Sequence, residues 1–188
     1  MQTFLLAALV VALGCASPQR GRMGTDEVVP DYFQPRGEVV FSGPTRRSVT
    51  AFDDTRVIGP GVSLSQNGDG SWSGWLQGRA VQLEGSNHRV DGASLSLRIE
   101  ELESGGIEIR GHWAVGRTTE SIYVRVTPEE FFARGASRTP SLFLKTNGNG
   151  NYGGNFYGDF AIELVGAARD AVPPEPQFAF AVLGALGG

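Results

Sequence analysis

The chain has 188 residues, of which 19% are charged and 27 are glycine, and its formal net charge is -4. Its cations form no basic block, and nucleic-acid binding depends on clustered cations, so a nucleic-acid partner is not expected. A single cysteine excludes a disulfide within the chain, and two isolated histidines argue against a zinc site. Beyond a short leader and tether, the length fits one domain with its own hydrophobic core.

An apolar run over residues 4–13 opens the chain. It is too short to span a bilayer as a helix, which takes about 20 residues, but it matches the hydrophobic region of an export signal. The residues Ala12-Leu13-Gly14-Cys15 resemble the lipobox of bacterial lipoproteins, in which the cysteine receives diacylglycerol on its sulfur before the signal is removed. The resemblance implies a signal peptide over residues 1–14, lipidation of Cys15 and a membrane-anchored location in the bacterial cell envelope. The alternative is an ordinary secretory signal cut near Ala16 or Ser17, in which Cys15 has no special role.

Residues 15–36 continue from the lipidated cysteine as a tether. They mix proline, arginine, glycine and acidic residues without an apolar period, which is typical of a flexible, solvated segment. We predict one β domain over residues 37–172, followed over residues 173–188 by a proline-rich turn and an apolar C-terminal segment.

A glycine-rich repeat organises the β domain. Residues 67–78 align with residues 147–158 without a gap, and every glycine of the first copy meets a glycine of the second. A fainter copy spans residues 105–117 with one residue inserted. The sequence therefore predicts three related units.

Each unit is predicted to contain three antiparallel strands. A strand of alternating apolar residues leads through a tight glycine turn into the glycine-punctuated strand, and a second alternating strand follows. The alternating strands are predicted at residues 62–64, 80–83, 95–99, 121–126, 142–144 and 161–164. Residues 38–41 add a strand, and residues 128–134 are the best candidate for a short helix.

The fold class that follows is all-β. The pattern predicts an antiparallel meander of about nine to ten strands built from three related units. So many strands in one small domain must protect their exposed edges, which favours a closed or nearly closed barrel, with a two-sheet β-sandwich as the alternative.

The C-terminal segment turns apolar after a proline-rich stretch. Phe178, Phe180 and Val182 alternate with alanines, which predicts a last strand or a plug that closes the domain. A contact with a membrane or a partner is the alternative.

Period-two counting separates the two faces of the glycine-punctuated strands. Trp72 and Leu76, with their equivalents in the other units, are predicted to face the core. The opposite face carries Trp75, His112 and Asn155 at equivalent positions, where core packing would not require three such different side chains. We treat these three as candidate contact residues, because an exposed tryptophan beside polar groups suits a protein or a sugar. The alternative is an ordinary mixed surface.

No group of residues predicts a reaction, a metal site or a cofactor. Asn67, Asp69 and Ser71 have the alternate spacing that opens a calcium loop, but no bidentate glutamate follows, and hairpin-turn chemistry explains them. Adjacent acids on a strand face opposite ways, so a glycosidase would need acids from distant units to converge.

The sequence thus predicts a lipid-anchored cell-envelope protein whose β-rich domain is a non-catalytic interaction or structural module. The expected partners are a membrane, through the lipid anchor, and an envelope protein or a glycan. Two alternatives stay open, a barrel that binds a glycan or a small apolar ligand and, less favoured, an envelope hydrolase.

Overall fold

The computed structural model of the chain describes residues 33–135, 141–155, 159–170 and 172–188, without the side chains of Val115 and Asn155. Cys15 and the predicted signal peptide lie outside the described residues, as does the tether up to residue 32. The described residues form a closed barrel of fourteen antiparallel strands with two helices. The prediction of an all-β closed barrel is confirmed, whereas the predicted number of strands is too low.

Every strand pairs with its neighbours in sequence, and β1 closes the ring against β14 from Gly37↔Gly166 to Ser42↔Ala161. The elements are β1 (Gly37–Ser42), β2 (Arg47–Phe52), β3 (Arg56–Gly59), β4 (Val62–Gln66), β5 (Trp72–Leu76), β6 (Arg79–Ser86), β7 (Arg89–Gly92), β8 (Leu95–Glu101), β9 (Ile107–Val115), β10 (Thr118–Val126), β11 (Glu130–Arg134), β12 (Leu142–Gly148), β13 (Asn151–Asn155), β14 (Asp159–Gly166), α1 (Ala167–Asp170) and α2 (Pro176–Gly187).

The four strands that the sequence did not predict are β2, β3, β7 and β11. The helix predicted over residues 128–134 is wrong, because β11 lies there with Phe131 and Ala133 buried and Phe132 on the other face. The three glycine-punctuated segments form β5, β9 and β13, each flanked by the two strands predicted for its unit. With β3, β7 and β11 included, each repeat is a meander of four strands, and β1 and β2 precede the first repeat.

Helix α2 occupies part of the barrel interior. A ring of fourteen strands encloses more space than wall side chains fill alone, since eight strands already give an interior just wide enough for side chains. Helix α2 packs against β1–β5, and its residues 178–186 are buried on all sides, as expected for a helix without a polar face. The ring of Phe180 meets the edge of Trp72 with centroids 5.4 Å apart. The predicted plug is therefore a helix, and the predicted last strand is wrong.

The last turn of α2 is held by side chains from the barrel wall. We call the end at which β1 begins the lower end and the opposite end the upper end, so that α2 runs from the lower to the upper end. At the upper end the Ser48 hydroxyl donates to the carbonyl of Ala185 at 2.6 Å, and the Gln77 amide donates to the carbonyl of Leu183 at 2.9 Å. The Ser48 bond satisfies a carbonyl that has no partner within the helix, and the Gln77 bond adds a second donor at Leu183. In the described part of the chain, no helix combines the length and hydropathy needed to cross a bilayer.

Candidate interaction surface

Two of the three candidate contact residues, Trp75 and His112, lie on the outer side of the barrel wall. Trp72 and Leu76 are buried on the inner side of β5, and Trp75 between them is 57% exposed. His112 occupies the equivalent outward position on β9 and is exposed. The backbone of Asn155 ends β13, where it pairs with Asp159.

The structure does not bring these three residues together. Their strands β5, β9 and β13 are separated by four strand positions each. With adjacent strands about 4.8 Å apart, four positions correspond to roughly 19 Å along the wall. Trp75, His112 and Asn155 therefore do not form one compact surface, and a contact role for each stays a prediction.

Aromatic rings from three adjacent strands lie side by side on the outer wall between His112 and Asn155. They are Tyr123 on β10, Phe132 on β11 and Phe143 on β12. Tyr123 and Phe132 contact edge to face with centroids 5.6 Å apart, and Phe132 is the cross-strand partner of Phe143. Phe143 is 47% exposed, although the residues before and after it are buried in the core.

Four cations border these rings. Arg110 lies opposite Tyr123, Arg125 lies opposite Phe132, and Arg134 follows Phe132 by two positions on β11. Lys145 follows Phe143 by two positions, with its amino group 6.0 Å from the centre of that ring. We call this surface the aromatic band, defined as three rings and four cations, namely Tyr123, Phe132, Phe143, Arg110, Arg125, Arg134 and Lys145.

A buried carboxylate holds one side of the aromatic band in place. Glu108 points outward from β9, yet it is only 6% exposed because neighbouring side chains cover it. The Tyr123 hydroxyl donates to Glu108 Oε2 at 2.6 Å, and the Arg110 guanidinium donates to Oε1. Burial acts to raise the pKa of Glu108, but these two hydrogen bonds and the charges of Arg110 and Arg125 hold that pKa below its ordinary value. Glu108 is thus an anion that fixes Tyr123 and Arg110.

No protein-family model, curated protein or solved structure matches the chain. Its function is therefore inferred from the described side chains and their surroundings.

A cavity of about 630 Å³ opens at the lower end of the barrel. Its lining comes from the turns that follow β8, β10 and β12 and from α1, whereas α2 packs against β1–β5. Tyr152 and Leu164 are buried in its lining, and the Tyr152 hydroxyl donates to the carbonyl of Thr127 at 2.8 Å. Arg169 and Asp170 bring charge to it, with their nearest nitrogen and oxygen 3.6 Å apart. The cavity is large enough for a small molecule.

The polar residues of the first glycine turn bond to one another. Asp69 Oδ1 accepts hydrogen bonds from the backbone N–H and the hydroxyl of Ser71, at 2.9 and 2.6 Å. Both bonds lower the pKa of the Asp69 carboxyl, the hydroxyl bond most. This is the turn chemistry that the sequence favoured over a calcium loop. Among the described residues, no group of three or more His, Cys, Asp or Glu side chains is placed to hold a metal ion.

Sequence reasoning missed the aromatic band for two reasons. Phe132 fell in a segment predicted as a helix, so its outward direction on a strand was not recognised. Phe143 sits between Leu142 and Leu144, where alternation on a strand places it on the face opposite two core residues. That single outward phenylalanine was the available signal, but only the strand order shows that it lies beside Phe132.

Proposed function

We propose that the protein is a lipid-anchored component of the bacterial cell envelope and that its barrel is a non-catalytic module that binds a partner through its outer wall. The supporting observation is the contrast between the inner wall, whose apolar side chains are buried against one another and against α2, and an outer wall with partly exposed rings. Large exposed apolar side chains that lie together mark interaction surfaces on soluble domains. The lipobox resemblance at Cys15 supports the anchor.

The anchor is tested by replacing Cys15 in the full-length chain. Wild-type protein should pellet with membranes and incorporate an alkyne-labelled fatty acid in cells. Cys15→Ala should lose the label, and the matched control Ser17→Ala should keep it. A Cys15→Ala protein that still carries the label would refute lipidation at this position.

The interaction module is tested by cross-linking in cells followed by affinity purification of the full-length protein. Wild-type protein should recover one dominant envelope partner in repeated experiments. A variant with Trp75→Ala and His112→Ala and a second variant with Phe143→Ser would show which part of the outer wall makes the contact. Failure of the wild-type protein to recover any specific partner would count against the interaction function.

The cavity at the lower end supports a second candidate, the binding of a small apolar ligand. Its buried lining residues Tyr152 and Leu164 offer an apolar surface, and its volume falls in the range of ligand pockets. A fluorescent fatty acid should bind the wild-type protein and lose affinity in Val172→Trp, which places an indole among the lining residues. Binding should persist in Ser63→Trp, which changes the outer wall of β4. Equal binding by all three proteins would exclude the cavity as the ligand site.

A further inference from the structure

We propose that the aromatic band binds an acidic segment of a partner protein. This inference deepens the proposed interaction function and rests on it, because it assigns both the surface and the chemistry of the partner. Three observations support it, namely the row of rings, the excess positive charge around them and the hydrogen-bonded state of the strands beneath.

The row of rings supplies the apolar part of the surface. Tyr123, Phe132 and Phe143 come from consecutive strands, so their spacing is set by the sheet and needs little ordering on binding. Phe143 already exposes 47% of its surface, and contact with Phe132 restricts the rotation of Tyr123. Protein interfaces are enriched in aromatic residues and arginine, with the rings near the centre and polar groups at the rim. The aromatic band has that composition and that arrangement.

The charges of the aromatic band favour an anionic partner. Four cations border the rings, against Glu108 within the network and Glu130 opposite Lys145. A third carboxylate, Glu100, lies opposite Glu108 and forms an ion pair with Arg98. The surface is therefore positive on a chain whose net charge is -4. Arg134 is exposed, and among the described residues it forms no ion pair. An incoming carboxylate would supply the ion-pair partner that Arg134 lacks.

The backbone beneath the band is already paired. Strands β10, β11 and β12 each have hydrogen-bonded neighbours on both sides, so a partner cannot add a strand between them. Recognition must come from side chains, with carboxylates meeting the cations and apolar groups covering the rings. A protein segment can place its acids away from Glu108 and Glu130, whereas a uniformly anionic lipid surface would face both carboxylates.

The test uses the full-length protein and synthetic probes of defined charge. The acidic probe is a glutamate–tyrosine copolymer, the basic probe is a lysine–tyrosine copolymer, and phosphatidylglycerol vesicles represent a lipid surface. Wild-type protein should bind the acidic copolymer but not the basic one, and its affinity should fall as sodium chloride rises from about 50 to 300 mM.

Two variants of the aromatic band are compared with matched variants elsewhere on the outer wall. Arg134→Glu and Phe143→Ser should each weaken binding of the acidic copolymer by about tenfold or more, because the first reverses a charge beside the rings and the second removes a central ring. Arg47→Glu on β2 and Ile58→Ser on β3 make the same kinds of change on another part of the outer wall and should change the affinity less than about twofold. Arg134, Phe143 and Arg47 are exposed and Ile58 is half-buried, and unchanged melting temperatures would show that the variants fold.

Three outcomes would overturn the proposal. The first is no binding of the acidic copolymer, and the second is equal weakening by Arg134→Glu and Arg47→Glu, which would reflect overall charge. The third is binding to the vesicles with the same dependence on Arg134 and Phe143, which would identify a lipid surface as the occupant. If cells yield a specific cross-linked partner that both band variants retain, the interaction function stands and only the assignment of this surface fails.

Discussion

At the residue scale, the glycines of the repeated strands allow neighbouring backbones to approach. A Cβ at Gly74 would lie 2.1 Å from the carbonyl oxygen of Ser63, and φ at Gly74 is 138°, which side chains rarely adopt. A Cβ at the equivalent Gly111 would lie 2.0 Å from the carbonyl oxygen of Ser96. A glycine between two large residues of a strand can leave space for an aromatic ring or mark a bulge. The atoms that crowd them most belong to the backbone of the adjacent strand.

Gly74→Ala should therefore destabilise the barrel. We expect the free energy of unfolding to fall by roughly 3 kcal/mol, because the new Cβ combines a backbone clash with an unfavourable φ. Chemical denaturation measures this change. Gly68→Ala is the control, because a Cβ at Gly68 would meet nothing within 4 Å and φ at Gly68 is not positive. This substitution should change the free energy of unfolding by less than about 0.5 kcal/mol. Equal effects of the two substitutions would contradict the close-approach explanation.

The buried carboxylate of Glu108 leads to a prediction for how the stability of the fold depends on pH. Its folded-state pKa lies below its ordinary value, so its ionised form contributes stability above the unfolded-state pKa of about 4.3. That contribution is lost as the pH falls through the folded-state pKa. At neutral pH, Glu108→Gln should lower the free energy of unfolding by about 1 kcal/mol, since the amide still accepts hydrogen bonds but carries no charge.

The difference between the wild-type protein and Glu108→Gln should shrink as the pH falls below about 4, because both side chains are then neutral. Denaturation curves at neutral and acidic pH measure it. The exposed Glu163→Gln is the control and should resemble the wild-type protein at both. A Glu108→Gln difference that stays constant with pH would show that the charge of this carboxylate does not stabilise the fold.

At the element scale, α2 shows that local alternation of large and small apolar residues does not by itself distinguish a strand from a helix. In a strand, the order Phe-Ala-Phe-Ala-Val would place the large side chains on one face. The same order also suits a helix that is buried on all sides, because every residue in it is apolar. Pro176 is favourable in the first turn of a helix, and the interior of a fourteen-stranded barrel requires a filler. The surroundings of the segment therefore decided between two conformations that its residues permit.

Phe180→Ala tests the role of α2 as a plug. Phe180 is fully buried and its ring contacts Trp72, so truncation should leave a cavity and lower the free energy of unfolding by about 3 to 5 kcal/mol. Phe143→Ala removes an equal side chain from the exposed outer wall and should cost far less. Urea denaturation separates the two cases. Similar small losses for both would show that α2 does not pack inside the barrel in solution.

At the scale of the whole molecule, closure removes the edges that an open sheet would expose. Strands β1 and β14 are the first and last in sequence, yet they pair over six residues as any neighbouring strands do. Closure predicts that the paired amides of β1 and β14 exchange their hydrogens as slowly as those of β9 and β10. Hydrogen exchange followed by NMR or mass spectrometry measures this, with the amides of Gly68 and Asp69 in the exposed turn after β4 as fast-exchanging controls. Fast exchange in β1 or β14 alone would indicate an open sheet.

Much of the barrel wall could be predicted from local patterns, because a strand with one buried face shows a period-two alternation of apolar and polar residues. All ten strands predicted from alternation and the repeat are present. The four strands that were missed gave weaker patterns. Some are short or carry few apolar residues, as in β7, where Val90 is the one buried side chain. Strand β11 follows Pro128 and resembles the start of a helix. The inward direction of Trp72 and Tyr152 followed from counting alone, because successive side chains on a strand must alternate.

The candidate site was less predictable, because it depends on residues that are distant in sequence. Trp75 and His112 were correctly placed on the outer face, but equivalence in the repeat did not bring them together, since the repeat runs around the barrel. Phe132 and Phe143 are eleven positions apart in the sequence and become neighbours only through the pairing of β11 with β12. Alternation, glycine turns and repeat spacing are local properties of the chain, and they determined ten of the strands and the all-β class. The number of strands, the helical plug and the aromatic band came from tertiary structure, because closure, interior volume and strand order depend on the whole chain at once.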